Sequence, residues 1–323
     1  MTISDALHTA ETQLRKNLRL GPKEHHRPRW EAEILLAELL EKDRAWIVAH
    51  GRDVIPAKKH QTFRSWITRR KKHEPLAYIL GDQEFYGRDF IVTPDTLIPR
   101  SETEMMVEMA GRTSPSPSSC LPAGTVVRRG IGPETIIWDV GTGSGTLAVT
   151  LAVEHPDATV IASDISSKAL AIAKRNAKKY GVAKRITFFN GSLISVAVNR
   201  YLKNRKGTGA SLAPLQQKTL IITANLPYLP EKNKQKLMPD VVKFEPSSAL
   251  FSGTDGLDLI RAFMTHLAIA QHEWKFDHIQ ALFEFDPSQT KKLLKLSKQL
   301  FPDATVTVYK DFAKRDRMLE ILI

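Results

Sequence analysis

Two short stretches carry residue types that could do chemistry together. The first, Ile221 to Pro230, runs an apolar β-like segment into Asn225, Leu226, Pro227 and Tyr228. Strand interiors disfavour Asn and Pro, so the four residues mark either a strand end or a site. The Asn225 side-chain oxygen and the Leu226 backbone carbonyl can each accept one N–H of a planar NH2 group. Pro227 would fix the backbone there, and Tyr228 would pack on the flat face of the bound group. Such a grip orients a weakly nucleophilic amine or amide nitrogen and reduces its delocalisation. Its catalytic contribution is proximity and orientation for an in-line transfer, with no metal and no covalent intermediate required. Taken alone, a strand terminator with a core tyrosine accounts for the same residues equally well. A cofactor loop upstream tips the reading toward a site.

That loop is the second stretch, Asp139 to Gly145, reading DVGTGSG after a short apolar strand and opening a helix near Thr146. Glycine lets the backbone turn tightly and approach a ligand with no Cβ in the way. Asp164, nineteen residues after Gly145, ends the next strand, a position that suits a carboxylate accepting from ribose hydroxyls. The cofactor-binding set is therefore Gly141, Thr142, Gly143, Ser144, Gly145 and Asp164. The glycine order differs from the dinucleotide pattern, and the loop lacks the lysine of a P-loop. S-adenosylmethionine, an adenosine ligand without phosphates, fits best, and NAD is the alternative.

Elements must bring these stretches together. Residues 1 to about 80 read as a small helical bundle. Ile34, Leu35, Glu38 and Leu39 fall on one helix face, and Phe63, Trp66 and Ile67 on another that Pro75 ends. Trp30, Trp46 and Trp66 read as core residues. Alternating apolar and polar residues around Gly87-Arg88 predict a β-hairpin over residues 81–95. From TIIWDV onward, strands alternate with helices, which implies a parallel sheet covered on both faces. Asn225 then ends the fourth strand, beside the strand that carries the glycine loop, at the carboxyl ends where α/β sheets bind ligands. The Ser/Pro/Gly-rich Gly111–Gly124 reads as an irregular loop, and 199–218 as a mobile polar insertion.

The bulk composition narrows the class. The chain has 323 residues, 42% of them hydrophobic and 25% charged, as in a globular protein of two domains. One cysteine, Cys120, leaves neither a disulfide framework nor a thiolate zinc cluster. No apolar run is long enough to span a bilayer. The N-terminus has no hydrophobic signal core and carries Asp5 and Glu11, so the cytoplasm is expected, with a mitochondrial location the alternative. The net charge of +12 points to polyanionic surroundings such as a ribonucleoprotein. No RNA-binding signature with interleaved aromatics accompanies it, so sequence-specific nucleic-acid binding is not expected.

Nearly the whole chain resembles the HemK/PrmC-type peptide chain release factor N5-glutamine methyltransferases. The resemblance rests on EPLAYILG (74–81), EFYG (84–87), TLIPRSETE (96–104), DVGTGSG, SDIS with the AL and RNA that follow, NLPY, FEPSSALFSGTDGL (244–257) and RDRMLEI. It implies an α/β fold: a Rossmann-like class I methyltransferase domain over 96–323 with a seven-stranded, mostly parallel sheet. A helical N-terminal domain (1–80) that helps dock the release factor and a hairpin linker (81–95) precede it. The implied reaction moves a methyl group from S-adenosylmethionine, leaving S-adenosylhomocysteine, to the side-chain amide of the Gln in the Gly-Gly-Gln loop of class I release factors. By the same resemblance Leu193 contacts the adenine, Asn225 also borders the cofactor, and Asn225, Leu226, Pro227 and Tyr228 bind the Gln. A monomer is expected.

Two positions depart from the family pattern: Leu226 stands where the tetrapeptide usually has its first Pro, and Ser192 where an Asp is common. Asn-Leu-Pro-Tyr is also typical of ribosomal RNA adenine N6-dimethyltransferases, an alternative that predicts no TLIPRSETE element. A non-catalytic ribosome-associated binder on the same scaffold is a further alternative, and it predicts a damaged cofactor loop or a lost Asn.

Overall fold

The computed structural model describes residues 1–17, 27–113, 127–128, 131–204, 219–274 and 276–323, which divide into two compact units. The first comprises Met1–Asp82 and Lys236–Glu245. Its helices are α1 (Ile3–Asn17), α2 (Pro28–Leu40), α3 (Arg44–Ala49), α4 (Ala57–Arg70) and α5 (Leu76–Leu80), joined by the later helix α10 (Pro239–Phe244). Leu7, Leu14, Leu35, Leu36, Ile47, Phe63 and Ile67 form its core.

The buried side of α2 is not the expected Ile34–Leu39 stripe. Glu31, Ala32, Leu35 and Leu36 are buried, Ile34 and Leu39 are half-buried, and Glu38 is exposed. A carboxylate can turn inward here because the Arg70 guanidinium, 2% exposed, donates to both Glu31 oxygens at 2.8 and 3.1 Å. The same guanidinium donates to Asp240 of α10 at 2.9 Å. A planar fork satisfied on several sides is the form in which a buried charge is tolerated. Trp30 is 40% exposed and Trp46 and Trp66 are half-buried, so none of the three is fully in the core.

The second unit, Gln83–Gln235 and Pro246–Ile323, opens on a hairpin of β1 (Asp82–Phe85) and β2 (Arg88–Ile91). Tyr86 and Gly87 turn it with φ of 53° and 71°, the paired positive values of a type I′ turn. Then follow α6 (Glu104–Met109), and β3 (Arg112–Thr113) paired antiparallel with β4 (Val127–Arg128). Arg112 and Thr113 of the expected Gly111–Gly124 loop are thus strand, and residues 114–124 lie outside the described residues. The core elements come next: β5 (Thr135–Val140), α7 (Thr146–Glu154), β6 (Thr159–Asp164), α8 (Ser167–Lys179), β7 (Ile186–Asn190), α9 (Val196–Asn204) and β8 (Thr219–Ala224). The chain closes with α11 (Asp258–Ala270), β9 (His278–Glu284), α12 (Thr290–Leu300), β10 (Thr305–Lys310) and β11 (Asp316–Leu322). Residues 199–204, expected in an irregular insertion, continue α9 because Val198 and Leu202 bury one of its faces. Residues 205–218 lie outside the described residues.

One seven-stranded sheet runs β10-β11-β9-β8-β5-β6-β7, parallel from β9 to β7 and antiparallel at β10 and β11. Strand alternation sends Ile136, Trp138, Val140, Leu220 and Ile222 to one face, packed with α9, α11 and α12. Ile137 and Ile221 go to the other, packed with α6, α7 and α8. Chain order reverses between β5 and β8, which opens a crevice beyond their carboxyl ends. Among the described residues no helix is long and apolar enough to cross a membrane, and no group of three His, Cys, Asp or Glu side chains could hold a metal ion.

Candidate active site

The glycine loop leaves β5 at its carboxyl end and enters α7 at Thr146. Gly141, Gly143 and Gly145 take φ of 71°, 56° and 81°, conformations open to glycine at little cost. Each has its own spatial demand. A Cβ on Gly145 would come within 2.8 Å of the Ala173 Cβ, so α8 presses against the start of α7 there. A Cβ on Gly141 would come within 3.1 Å of Leu226. Around Gly143 no atom lies within 4 Å of such a Cβ, so this bend of the loop faces open space that a side chain would fill. Thr142 and Ser144 are buried beside it.

Two carboxylates hold this loop. Asp164, ending β6, accepts the Gly143 N–H and the Ser166 N–H at 2.8 Å each, one on each oxygen. A carboxylate oxygen has a second lone pair, so acceptor capacity remains for a ribose hydroxyl. Burial holds the Asp164 carboxyl above its ordinary value, opposed by these backbone N–H groups. Its neighbour Ile165 is 72% exposed, an apolar surface beside the acceptor. Glycine cradle, spare carboxylate lone pairs and apolar neighbour together fit an adenosine-type ligand. Asp139 lies deeper, 1% exposed. It accepts Thr142 Oγ1 at 2.6 Å, Thr223 Oγ1 at 3.0 Å and the Ala148 N–H at 3.3 Å. Burial raises its carboxyl to about 6 against those three donors.

Asn225 follows the last residue of β8, and β8 is the direct parallel neighbour of β5, with Ala224 opposite Val140. The structure thus brings the tetrapeptide next to the glycine loop, as the chain order implies. Leu226 is 4% exposed and packs into the core beside Gly141. A buried side chain therefore anchors the backbone at the position where the family usually has Pro. Pro227 and Tyr228 are half-buried. Leu193, after β7, is half-buried with φ 37° and packs against the same core face.

The residues that brace the tetrapeptide had no assigned role in the sequence. Asn225 Nδ2 donates to Thr103 Oγ1 at 2.9 Å, and Thr103 Oγ1 donates to Glu284 Oε2 at 2.6 Å. Tyr228 OH donates to Glu284 Oε1 at 2.9 Å. Register explains the position of Glu284: Ala224 of β8 lies opposite Phe283 of β9, so Asn225, just past β8, sits beside Glu284 at the end of β9. Glu284 is 1% exposed, and burial raises its carboxyl while the two hydroxyls and Arg317 pull it down. The Tyr228 hydroxyl is pushed well above its usual value by burial and by the Glu284 charge.

A second brace comes from 246–257. Leu229 N–H donates to the Leu250 carbonyl, Ser252 N–H to the Leu229 carbonyl and Glu231 N–H to the Gly253 carbonyl. Gln289 Nε2 donates to the carbonyls of Tyr228 and Asp255 at 2.7 and 2.9 Å. Gly256 is glycine of necessity, because a Cβ there would lie 2.1 Å from the Tyr228 oxygen. Behind the glycine loop, buried Asn176 joins Ile91 to Ser144: it donates to both carbonyls and accepts the Ile91 N–H. The TLIPRSETE, RNA and FEPSSALFSGTDGL stretches therefore supply braces of the two loops.

Residues 5–81 match the family model of the PrmC N-terminal domain, and residues 121–203 that of a precorrin methyltransferase domain. The chain is 32% identical over 321 residues to a release factor glutamine methyltransferase of Bacillus anthracis, covering 99% of this chain and 98% of that one. It is 37% identical over 243 residues to one of Geobacter sulfurreducens, covering 75% and 72%. With one of Coxiella burnetii the identity is 33%, over 90% and 91% of the two chains. Among solved structures, the hMettl16 catalytic domain in complex with a MAT2A 3'UTR hairpin superposes with a TM-score of 0.50 at 12% identity, covering 84% of this chain and 83% of that one. At that identity the likeness is one of fold.

Proposed function

Because the chain belongs to the release factor glutamine methyltransferase family, we propose that it transfers a methyl group from S-adenosylmethionine to the side-chain amide nitrogen of the Gln in a release factor's Gly-Gly-Gln loop. The fold is that of class I S-adenosylmethionine-dependent methyltransferases, α/β with a mostly parallel seven-stranded sheet. The observation that carries the reading is the orientation of Asn225. Its Nδ2 is engaged by Thr103, and among the described residues no donor meets its Oδ1.

In this reading Gly141 to Gly145 and Asp164 hold the cofactor, with Leu193 against its base and Asn225 at its edge. When bound, S-adenosylmethionine supplies a methyl group on a positively charged sulfur. Asn225 Oδ1 and the Leu226 carbonyl each accept one N–H of the glutamine amide, which fixes the plane of the nitrogen. Pro227 limits the backbone, buried Leu226 anchors it, and Tyr228 covers the flat face of the amide. The N-terminal helices help dock the release factor.

Incubation with S-adenosylmethionine and either a class I release factor or ribosomal RNA, followed by mass spectrometry, tests the assignment. A mass increase of one methyl on the Gly-Gly-Gln glutamine is expected. Methyl on RNA adenine with that glutamine untouched would overturn the reading.

A further inference from the structure

Glu284 is a buried carboxylate that receives one hydroxyl on each oxygen, Thr103 on Oε2 and Tyr228 on Oε1. A hydroxyl has a single proton. Thr103 directs its proton to Glu284, so toward Asn225 it presents only a lone pair. Only the NH2 end of the Asn225 amide can face a lone pair, and the carbonyl end must then face away from Thr103. Thr103 is 4% exposed, so no bulk water competes for this arrangement.

We infer that Glu284 and Thr103 are positioning residues for methyl transfer: the ionised carboxylate, acting through the Thr103 hydroxyl, sets which end of the Asn225 amide is offered to substrate, and through the Tyr228 hydroxyl it fixes the adjacent ring. The inference rests on the reading in which Asn225 Oδ1 accepts the substrate amide. Ionisation of Glu284 is part of the device. A protonated Glu284 becomes a donor to Thr103, the Thr103 proton is then free to point at Asn225, and the amide turns its NH2 end outward. Two NH2 groups facing each other cannot hydrogen-bond, so the grip fails.

The charged and titratable groups facing Glu284 come from each neighbouring segment. Tyr228 faces it after β8, Arg317 from β11, and Glu102 from the short turn before α6. Arg317 is itself paired with Asp311 at 3.3 Å, and Arg100 acts on Tyr228. Arg317 and the two hydroxyls favour the carboxylate, whereas burial and Glu102 oppose it.

The test uses the full chain with S-adenosylmethionine and a class I release factor, comparing Thr103→Val, Thr103→Ser, Glu284→Gln and Asn225→Ala. Thr103→Val, close in shape but without the hydroxyl, is expected to lower kcat about 10- to 100-fold with cofactor affinity near wild type. Thr103→Ser restores most of the loss. The kcat of the wild type should fall on the acid side at a pH above the ordinary carboxylate range, and Glu284→Gln should have low kcat without that acid limb. Thermal melting and calorimetric cofactor binding identify any variant that fails to fold; if Glu284→Gln does, the valine–serine pair decides. Thr103→Val within about twofold of wild-type kcat beside an inactive Asn225→Ala overturns the inference and leaves the amide grip standing. Near-normal turnover in Asn225→Ala as well overturns the grip itself.

Discussion

The two loops at the carboxyl ends of β5 and β8 are adjacent and are built by opposite means. The glycine loop is held locally and by backbone: positive φ at Gly141, Gly143 and Gly145, and an Asp164 carboxylate that accepts backbone N–H groups. The Asn225–Tyr228 loop is held from a distance and by side chains. Thr103 is 122 residues from Asn225, and Glu284 is 56 from Tyr228 and 181 from Thr103. A ligand that needs shape and a few acceptors can be served by a turn. A nitrogen that must be aimed requires side chains whose own rotamers are locked by buried partners.

This contrast predicts that damage to the two loops separates into different kinetic quantities. The largest effect is expected for Asn225→Ala, which removes one of the two acceptors we propose for the substrate amide: a kcat loss of about 10³-fold, roughly 4 kcal/mol, with cofactor affinity largely kept. Single-turnover methylation at saturating cofactor, beside calorimetric cofactor titration, reads the two quantities separately. A parallel loss in cofactor affinity would break the division between the loops. Asp164→Ala should show the reverse. Loss of a carboxylate that accepts Gly143 and Ser166, and to which we assign the cofactor's ribose, should weaken cofactor binding about 30- to 100-fold, near 2–3 kcal/mol. At saturating cofactor its kcat should fall far less.

The same contrast decides what could be read in advance. DVGTGSG and Asp164 are legible because a tight turn and its acceptor lie within one β-α-β unit, where glycine and acid spacing carry the information. The end of β8 at Asn225 is legible because Asn and Pro interrupt an apolar run. Neither Thr103 nor Glu284 has such a local signature: Thr103 lies in the TLIPRSETE stretch among residues of mixed type, and Glu284 ends an ordinary apolar strand. Their meeting depends on the register of β8 with β9, which sequence alternation does not specify. The buried face of α2 differs from its apolar stripe for a related reason. Apolar periodicity cannot foresee a glutamate turned inward by Arg70 of another helix. Equally invisible was the grouping of 236–245 with the N-terminal helices, since its partner for Asp240 is 170 residues away.

A smaller effect probes how tightly the second brace fixes the tetrapeptide. Gly256→Ala must push a Cβ into the Tyr228 carbonyl, 2.1 Å away, at a φ of 80° that alanine adopts poorly. A stability loss of about 1–3 kcal/mol is expected by chemical denaturation. Gly143→Ala has the same kind of positive φ but open space around its Cβ, so its stability loss should be about 1 kcal/mol, with reduced cofactor affinity as its main effect. Equal stability losses in the two would mean that backbone strain alone, and not the brace, sets the cost.

The smallest expected effect concerns the residue that belongs to both loops. Asp139 accepts Thr142 from the glycine loop on one oxygen and Thr223, two residues before Asn225, on the other. It therefore ties the backbone-held and side-chain-held halves of the site together through hydrogen bonds. Burial raises its carboxyl from 3.8 to about 6, so at neutral pH the ion is retained at a cost. The sign follows from proton binding. Between the two values the folded protein holds a proton that the unfolded chain has released, so folding stability declines as pH rises through this range. Going from pH 5 to pH 7, this group alone should lower the unfolding free energy by about 1 kcal/mol. Asp139→Asn removes that component, so the difference in pH slope between wild type and variant isolates it from other titrating groups. The variant replaces the carboxylate by a weaker neutral acceptor on one side and an NH2 on the other, so the hold on both Thr142 and Thr223 loosens. Cofactor affinity and kcat should then fall together, by a few-fold each, the joint response that neither Asn225→Ala nor Asp164→Ala gives. A fall in only one of them would place Asp139 wholly within that loop and leave the two halves mechanically independent.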